Sequence, residues 1–310
     1  MSPLGSSVVS WGAALPDQVL TNADFEAKLD TSNEWIVART GIRERRVGGM
    51  VSEMATQAGT AALERAGLDP KDLDFLVLAT TTPDQSVPAT SSLVHRSLGL
   101  NCGAFDVNAA CAGFVYALAV GHGLLSSGAR HALVIGADAL SHITDFTDRS
   151  TAVLFGDGAG AVVLEAGAQD RFLAWDLGVD SSGAELLACE HGGYLHMDGK
   201  EVFRRAVRTT VESVTKVLDE AQVKVDDVAL FVPHQANARI IDASCNRLGL
   251  PSERVAMVIE RTGNTSSASI PLALDHAANA GRLAEGDLVV MSAFGAGLTW
   301  ATTLLRWGRG

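Results

Sequence analysis

The 310-residue sequence has few cysteines, few aromatic residues and no excess of positive charge. Its four cysteines, Cys102, Cys111, Cys189 and Cys245, stand at irregular spacings without a C-x-x-C pair. This spacing argues against a disulfide framework and against a zinc ribbon. The formal net charge of −12 disfavours nucleic acid as a partner, because phosphate binding requires a basic surface. We therefore expect neither a disulfide-linked domain nor a nucleic-acid-binding protein.

Nothing in the sequence predicts a membrane span or a secretion signal. The longest apolar stretch, from Ala109 to Gly121, is too short to cross a bilayer and is followed by His122, so we predict a buried core helix there. The first residues, Met1 to Gly5, contain no basic segment followed by an apolar one. We expect a cytoplasmic protein whose 47% hydrophobic residues supply a large core.

Apolar segments rich in Val, Leu and Ala alternate with amphipathic segments, which is typical of the buried central strands of α/β proteins. The pattern predicts strands over Phe75 to Ala79, Ala104 to Val107 and Leu133 to Ala137. It predicts helices over Ser91 to Leu98 and Cys111 to Leu125.

The second half of the chain repeats features of the first at an offset of 155 residues. The strand beginning at Phe75 matches one beginning at Leu230, and Cys111 falls on Ser266, just after Asn264. Repeated matches at one offset favour a duplicated domain, with halves at residues 1–167 and 168–310. The residues around the helix starts, Cys111 and Asn264, would then meet at a site between the halves.

Cys111 lies where a predicted strand gives way to a long apolar helix. The unpaired N–H groups and the positive end of a helix dipole stabilise a thiolate, so this position predicts a lowered pKa and a nucleophile. The alternative is a buried cysteine acting as a small apolar residue, which is the commoner case and fits Cys102, Cys189 and Cys245 better. The position of Cys111 alone leaves both interpretations open.

His234 and Asn264 complete an ordered Cys, His, Asn set. His234 follows an apolar strand, at the strand end where α/β proteins build their sites. Asn264 stands in a Gly/Ser/Thr-rich turn before a helix, where an ordinary capping role is the alternative. The set is compatible with a cysteine protease or with a decarboxylating condensing enzyme. The papain-like signature C-G-[SA]-C-[WY] does not occur, which disfavours the protease.

Two further clusters are weaker signals. Cys189, Glu190, His191 and His196 are metal-ligand types, but the intervening glycines favour a flexible loop, so we predict no metal site. The Gly-rich stretch from Gly156 to Gly160 lacks the phosphate-binding fingerprints and predicts a tight turn.

Six motifs in order along the chain resemble the β-ketoacyl-acyl carrier protein synthase III family of bacterial fatty-acid synthesis. They are Asp30 to Arg46 (DTSNEWIVARTGIRERR), Asp106 to Ala117 (DVNAACAGFVYA), Phe155 to Ala161 (FGDGAGA), Val232 to Ile240 (VPHQANARI), Gly263 to Pro271 (GNTSSASIP) and Ala293 to Trp300 (AFGAGLTW). The resemblance covers nearly the whole chain. It implies an α/β fold, a thiolase-like layered α/β/α/β/α sandwich of two duplicated halves with mixed five-stranded sheets, assembled as a homodimer.

The resemblance also implies an acyltransferase. Such an enzyme condenses an acyl-CoA starter with malonyl-acyl carrier protein, releases CO₂ and CoA, and holds no permanently bound cofactor. Cys111 would accept the acyl group, while His234 and Asn264 donate hydrogen bonds to the malonyl thioester carbonyl. Asparagine suits this role because an amide donates to an oxyanion that a carboxylate would repel. The backbone N–H groups of Cys111 and Ala296 would form the oxyanion hole, and Ala296 replaces a frequent glycine.

The same resemblance assigns the binding residues. CoA would contact Thr31, Trp35, Arg39, Arg149, Gly199 and Asn237, with Trp35 and Arg149 stacked on the adenine. The acidic carrier protein would contact Gln235, Ala236, Asn237, Ala238, Arg239, Arg204 and Arg247. Val87 would lie where the opposite subunit closes the acyl pocket, and its small side chain hints at branched or longer starters.

Two relatives on the same fold remain as alternatives. One is a synthase that primes polyketide synthesis, and the other is an acyltransferase whose acceptor is not malonyl. The presence of both His234 and Asn264 favours condensation, because simple transfer has no enolate to stabilise.

Overall fold

The computed structural model describes residues 5–309. Residues 1–4, on which the argument against a secretion signal depends in part, lie outside the described residues. None of the helices between residues 5 and 309 is long and apolar enough to cross a membrane.

Strands and helices alternate along the chain, as the sequence predicts. The strands are β1 (Gly5–Ala14), β2 (Gln18–Thr21), β3 (Glu44–Val47), β4 (Phe75–Ala79), β5 (Gly103–Val107), β6 (His131–Ala139), β7 (Asp157–Gly167), β8 (Phe172–Val179), β9 (Leu187–Ala188), β10 (His196–Met197), β11 (Val228–Pro233), β12 (Leu288–Gly295) and β13 (Thr299–Arg306). The α-helices are α1 (Asn22–Glu26), α2 (Asn33–Thr40), α3 (Val51–Ala66), α4 (Thr90–Leu98), α5 (Gly113–Ser126), α6 (Arg149–Ala152), α7 (Gly199–Glu220), α8 (Ala238–Leu248), α9 (Ile259–Thr262) and α10 (Ser269–Asn279).

Two mixed sheets share one topology. The first has the order β1-β7-β6-β4-β5, in which β4 runs parallel to β5 and β6 while β7 is antiparallel to β6 and β1. The second has the order β8-β13-β12-β11, with β11 parallel to β12 and the other pairs antiparallel. Strand for strand, the second sheet repeats the first up to the position of β5.

At that position the second half has a single parallel bridge between Phe231 and Val255 in place of the fifth strand expected from the sequence. The chain beyond this bridge is held by the side chain of Gln235. Its Oε1 accepts the N–H groups of Val258 and Ile259 at 3.0 and 3.2 Å, so these groups do not enter a strand ladder. The first sheet is five-stranded and mixed, as predicted.

The sheets and helices form five layers. Helices α3 and α4 pack on the first sheet and α7 packs on the second, where α8 joins the same apolar cluster. Helices α5 and α10 contact both sheets from between them. The sequence of α5 fits this central place because both of its sides are apolar, with Phe114, Leu118 and Leu125 fully buried. Helix α7 is amphipathic instead, and the side chain of Asp198 caps its first turn by accepting the N–H of Glu201.

The central helices begin with the same unusual backbone. Ala110 and Ser266 have positive φ values of 49° and 51°, and each opens a 3₁₀ turn that leads directly into α5 or α10. These two residues are 156 positions apart. Cys111 therefore corresponds to Ser267, so the sequence-based match of Cys111 with Ser266 is wrong by one residue. The duplication itself stays a prediction.

Candidate active site

Cys111, His234 and Asn264 line one cavity of about 880 Å³. They reach it from three elements: Cys111 from the turn before α5, His234 from the residue after β11, and Asn264 from the turn between α9 and α10. The N-termini of both central helices thus lie next to the cavity. The structure brings together the three residues that the sequence analysis selected.

Cys111 lies against the end of β12. A side chain at Gly295 would place its Cβ 2.7 Å from the backbone N of Cys111, so only glycine allows this approach. Cys111 is partly buried, and burial raises the pKa of its thiol to about 12, with the charge of Asp138 adding to the increase and a hydrogen bond with Ser266 opposing it. The lowered pKa expected from the sequence is wrong for this geometry, because burial of the thiol raises its pKa instead.

His234 is a neutral hydrogen-bonding group. Its backbone N–H donates to the carbonyl of Ser292 at 2.8 Å, and its Nδ1 lies 2.6 Å from Oγ of Ser269. The residue is only 7% exposed, and burial lowers the pKa of its imidazole to about 3. Because Nδ1 is already engaged, Nε2 is the ring nitrogen left for a substrate.

Asn264 presents the donor end of its amide. Its Oδ1 accepts the backbone N–H of Ser266 at 2.9 Å, which fixes the oxygen and leaves the NH₂ group for a substrate. Backbone hydrogen bonds of 2.9 and 3.0 Å to Leu154 and Gly156 clamp the residue to the first half. The cavity thus holds a thiol, a neutral imidazole and an amide donor.

Asp138 is a residue that sequence reasoning missed. It is fully buried at the end of β6, where it accepts hydrogen bonds from Thr80, Thr81 and Thr82 after β4 and from Ser267 before α10. Its carboxylate therefore ties the first half to the turn that carries Asn264. The consecutive threonines after a buried strand are the only sequence signal, and such a run is common in loops.

Four of the six predicted CoA residues line the cavity, whereas Thr31 and Arg149 do not. Trp35, Arg39, Gly199 and Asn237 line it, and the guanidinium groups of Arg39 and Arg149 each lie 5.0 Å from the ring of Trp35. A base stacked between Trp35 and Arg149 needs roughly 7 Å between their planes, so Arg149 has to move for adenine to enter. The hydroxyl of Thr31 is buried without a hydrogen-bond partner in the described chain.

The predicted carrier-protein residues differ in accessibility. Arg239 lines the cavity and lies 5.7 Å over the ring of Phe203, and Ala236 also lines the cavity. Arg204 is exposed and paired with Glu201. Gln235 is fully buried, and within residues 5–309 its amide bonds to backbone groups alone. This burial disfavours a carrier contact at Gln235, which stays a prediction. For Ala238 and Arg247, on α8, a carrier contact stays a prediction.

Two further assignments concern the acyl site. Ala296 lines the cavity and does not adopt a positive φ, so alanine fits where glycine is frequent in the family. Val87 is 84% exposed in the single chain and is not among the residues that line the cavity. Its role at a subunit interface stays a prediction.

The five layers and the cavity between two related sheets define a thiolase-like condensing enzyme, an acyltransferase. A family model described as 3-oxoacyl-[acyl-carrier-protein] synthase III matches residues 105–181, and the model of its C-terminal part matches residues 218–307. The β-ketoacyl-[acyl-carrier-protein] synthase III of Erythrobacter litoralis is 49% identical, with 96% of this chain and 97% of that protein covered. The chain belongs to the β-ketoacyl-[acyl-carrier-protein] synthase III family.

Solved structures agree with this assignment. The 3-oxoacyl-[acyl-carrier-protein] synthase III of Aquifex aeolicus superimposes with a TM-score of 0.96 at 47% identity, covering 98% of this chain and all of that one. A priming β-ketosynthase from the R1128 polyketide pathway gives a TM-score of 0.95 at 38% identity, covering 99% of this chain and 98% of that one.

Proposed function

We propose that this protein condenses an acyl-CoA starter with malonyl-acyl carrier protein to give β-ketoacyl-carrier protein, CoA and CO₂. The observation that carries the proposal is the pairing of one thiol, that of Cys111, with two neutral donors, His234 and Asn264, in a single cavity. A thiol can hold an acyl group as a thioester, and neutral donors stabilise an enolate without protonating it.

In the first step, the sulfur of Cys111 attacks the acyl carbonyl and the bond to the CoA sulfur breaks. Its proton leaves as the new bond forms and ends on the CoA thiol, in keeping with the raised pKa of Cys111. The tetrahedral oxyanion would accept the backbone N–H groups of Cys111 and Ala296. The products are acyl-Cys111 and free CoA.

In the second step, malonyl-carrier protein occupies the same cavity. Its carboxylate leaves as CO₂, and the electron pair becomes an enolate whose oxygen accepts hydrogen bonds from His234 and Asn264. The enolate carbon then attacks acyl-Cys111, and the thiolate that departs takes up one proton. No cofactor is required for any bond change in this sequence.

The finer assignments belong to the same proposal. CoA would enter past Trp35, Arg39 and Arg149 once Arg149 separates from Trp35, and Thr31 offers CoA its unpartnered hydroxyl. The carrier protein would dock near Arg239, where a positive charge lies beside the cavity in a chain of net charge −12.

We further propose a homodimer in the cytoplasm. Polyketide priming is the alternative that the R1128 likeness keeps open, although the synthase III of Aquifex aeolicus is more similar in sequence, at 47% against 38% identity.

Intact-protein mass spectrometry tests the proposal. Wild type, Cys111→Ala, Cys189→Ala and His234→Ala are incubated with acetyl-, isobutyryl- or longer acyl-CoA, and malonyl-carrier protein is then added. Cys189 provides a matched control because its thiol lines the same cavity. We expect an acyl mass on every variant except Cys111→Ala, and loss of that mass with release of CO₂ in wild type and Cys189→Ala alone. Acylation of Cys111→Ala, or acyl-enzyme that malonyl cannot discharge in wild type, would refute the proposal.

A further inference from the structure

Ser269 is a buried hydroxyl beside the candidate site that the proposed mechanism does not use. It is fully buried as the first residue of α10. Its Oγ lies 2.6 Å from Nδ1 of His234 and accepts the backbone N–H of Gln235 at 3.2 Å. The start of a central helix is thereby joined to the imidazole at the end of β11.

The hydrogen atoms at this contact can be assigned by counting donors and acceptors. A serine hydroxyl has one hydrogen and two lone pairs, and a backbone N–H can only donate. The backbone N–H of Gln235 therefore occupies one lone pair of Ser269 Oγ. Within residues 5–309, the hydroxyl hydrogen of Ser269 has one acceptor in reach, Nδ1 of His234. A neutral imidazole that accepts at Nδ1 carries its proton on Nε2.

We propose that Ser269 is a positioning residue that holds His234 in the tautomer with its proton on Nε2, so that the ring offers an N–H donor to the substrate carbonyl. The role of that donor rests on the proposed function. The tautomer has a second consequence: Nε2 has no lone pair to accept a proton, so His234 is not the base that deprotonates Cys111. The surroundings agree, because burial keeps the imidazole uncharged.

Nitrogen NMR tests the tautomer without any assay of activity. The full-length protein is labelled at the histidine ring nitrogens, and the His234 signals are identified as those lost in His234→Asn. We expect an unprotonated nitrogen at Nδ1 and a protonated one at Nε2 at neutral pH. A protonated Nδ1 in the wild type would overturn the proposal.

Kinetics of the separate half-reactions test the consequence. Ser269→Ala removes the donor, Ser269→Thr keeps a hydroxyl, and Ser10→Ala is the control. Ser10 is equally buried and donates to the carbonyl of Ala62 at 2.7 Å, away from the cavity. We expect Ser269→Ala to slow malonyl-dependent discharge about tenfold while acylation changes by less than about twofold. Ser269→Thr should recover most of the discharge rate, and Ser10→Ala should leave both rates unchanged.

The possible outcomes separate the two proposals. Equal slowing of both half-reactions in Ser269→Ala, or no slowing at all, would contradict a positioning role. A wild type that acylates but never releases CO₂ would refute the proposed function and leave the NMR result standing. Thermal unfolding of each variant shows whether a slower reaction results from loss of the folded structure. The NMR measurement is made on wild type and does not depend on any change at Ser269.

Discussion

The two turns that open the central helices, residues 110–113 and 266–269, share a backbone and differ in chemistry. Both begin with a positive φ, near 50°, and both lie at the cavity between the sheets. The first turn carries the thiol of Cys111, whereas Ser267 in the second turn bonds to Asp138 and Ser269 bonds to His234. One turn supplies the proposed nucleophile, and its counterpart orients the donors.

Each turn also rests on a glycine from the other half of the chain. Gly295 on β12 makes room for the backbone of Cys111, and Gly136 on β6 makes room for the backbone of Ser267. The same packing is thus used twice, and the side chains alone decide the role of each turn.

The largest effect is expected from Cys111→Ser, which gives the first turn the residue type of Ser267. A hydroxyl is a weak nucleophile without an adjacent base, and the ring nitrogen of His234 that faces the substrate already carries a proton in our account. We expect the rate of acylation by acyl-CoA to fall by at least about 1000-fold. Intact-protein mass spectrometry of samples quenched at successive times measures this rate. Acylation within about tenfold of wild type would mean that a base is present after all.

The next largest effect is expected from the two glycines. In Gly136→Ala the new Cβ would lie 2.3 Å from the carbonyl oxygen of Ser267, a backbone atom that cannot yield easily. We expect a loss of about 3 kcal/mol in the free energy of unfolding for Gly136→Ala and a similar or smaller loss for Gly295→Ala. Gly123→Ala is the control, because its Cβ meets nothing within 4 Å and alanine favours a helix. Equal stability of all three variants in urea unfolding would refute the packing argument.

A moderate effect is expected from Asp138→Asn, which weakens the clamp on the second turn and acts on the first turn through charge. The negative carboxylate raises the pKa of Cys111, so its removal should lower that pKa. The rate of alkylation of Cys111 by iodoacetamide should then begin to rise at a lower pH in the variant than in wild type. Asp157→Asn is the control, because Asp157 is also fully buried but hydrogen-bonds to Gly48, Gly49 and Ser141. A pH profile unchanged in Asp138→Asn would contradict the charge effect.

The remaining prediction concerns stability against pH. His234 has a pKa of about 3 in the fold and an unfolded value near 6.5, so the unfolded chain binds the proton more tightly. Its contribution makes the folded state lose stability as the pH falls from about 6.5 towards 3. His234→Ala should flatten this acid decline, as measured by unfolding in urea at stepwise pH. An equally steep decline in the variant would exclude His234 as its cause.

The sequence predicts the regular elements well and the tertiary contacts poorly. The strand over Phe75 to Ala79 is found with those bounds, and α4 begins one residue before its predicted start, because apolar periodicity is a local property. The helix predicted from Cys111 begins at Gly113, since Ala110 takes a positive φ and the intervening residues form a 3₁₀ turn. Such backbone choices depend on neighbours that are distant in sequence.

In the candidate site, too, the sequence predicts the side-chain chemistry well and the tertiary contacts poorly. Residue type identifies Cys111, His234 and Asn264, because their chemistry is carried by the side chains themselves. The sequence did not predict Asp138 or the burial of Gln235, whose roles arise only when strands and turns from distant parts of the chain meet. The direction of the Cys111 pKa shift was wrong for the same reason, because burial of the thiol in the folded chain outweighs the nearby helix start.

The most direct test of the account is the rate of CO₂ release from malonyl-carrier protein by acylated Asn264→Asp. This change keeps the shape of the side chain and replaces an N–H donor with a carboxylate that would repel the enolate. The account predicts that Cys111 is still acylated by acyl-CoA and that CO₂ release falls by at least about 100-fold. CO₂ release at the wild-type rate from the acylated variant would contradict the central claim that neutral donors drive the decarboxylation.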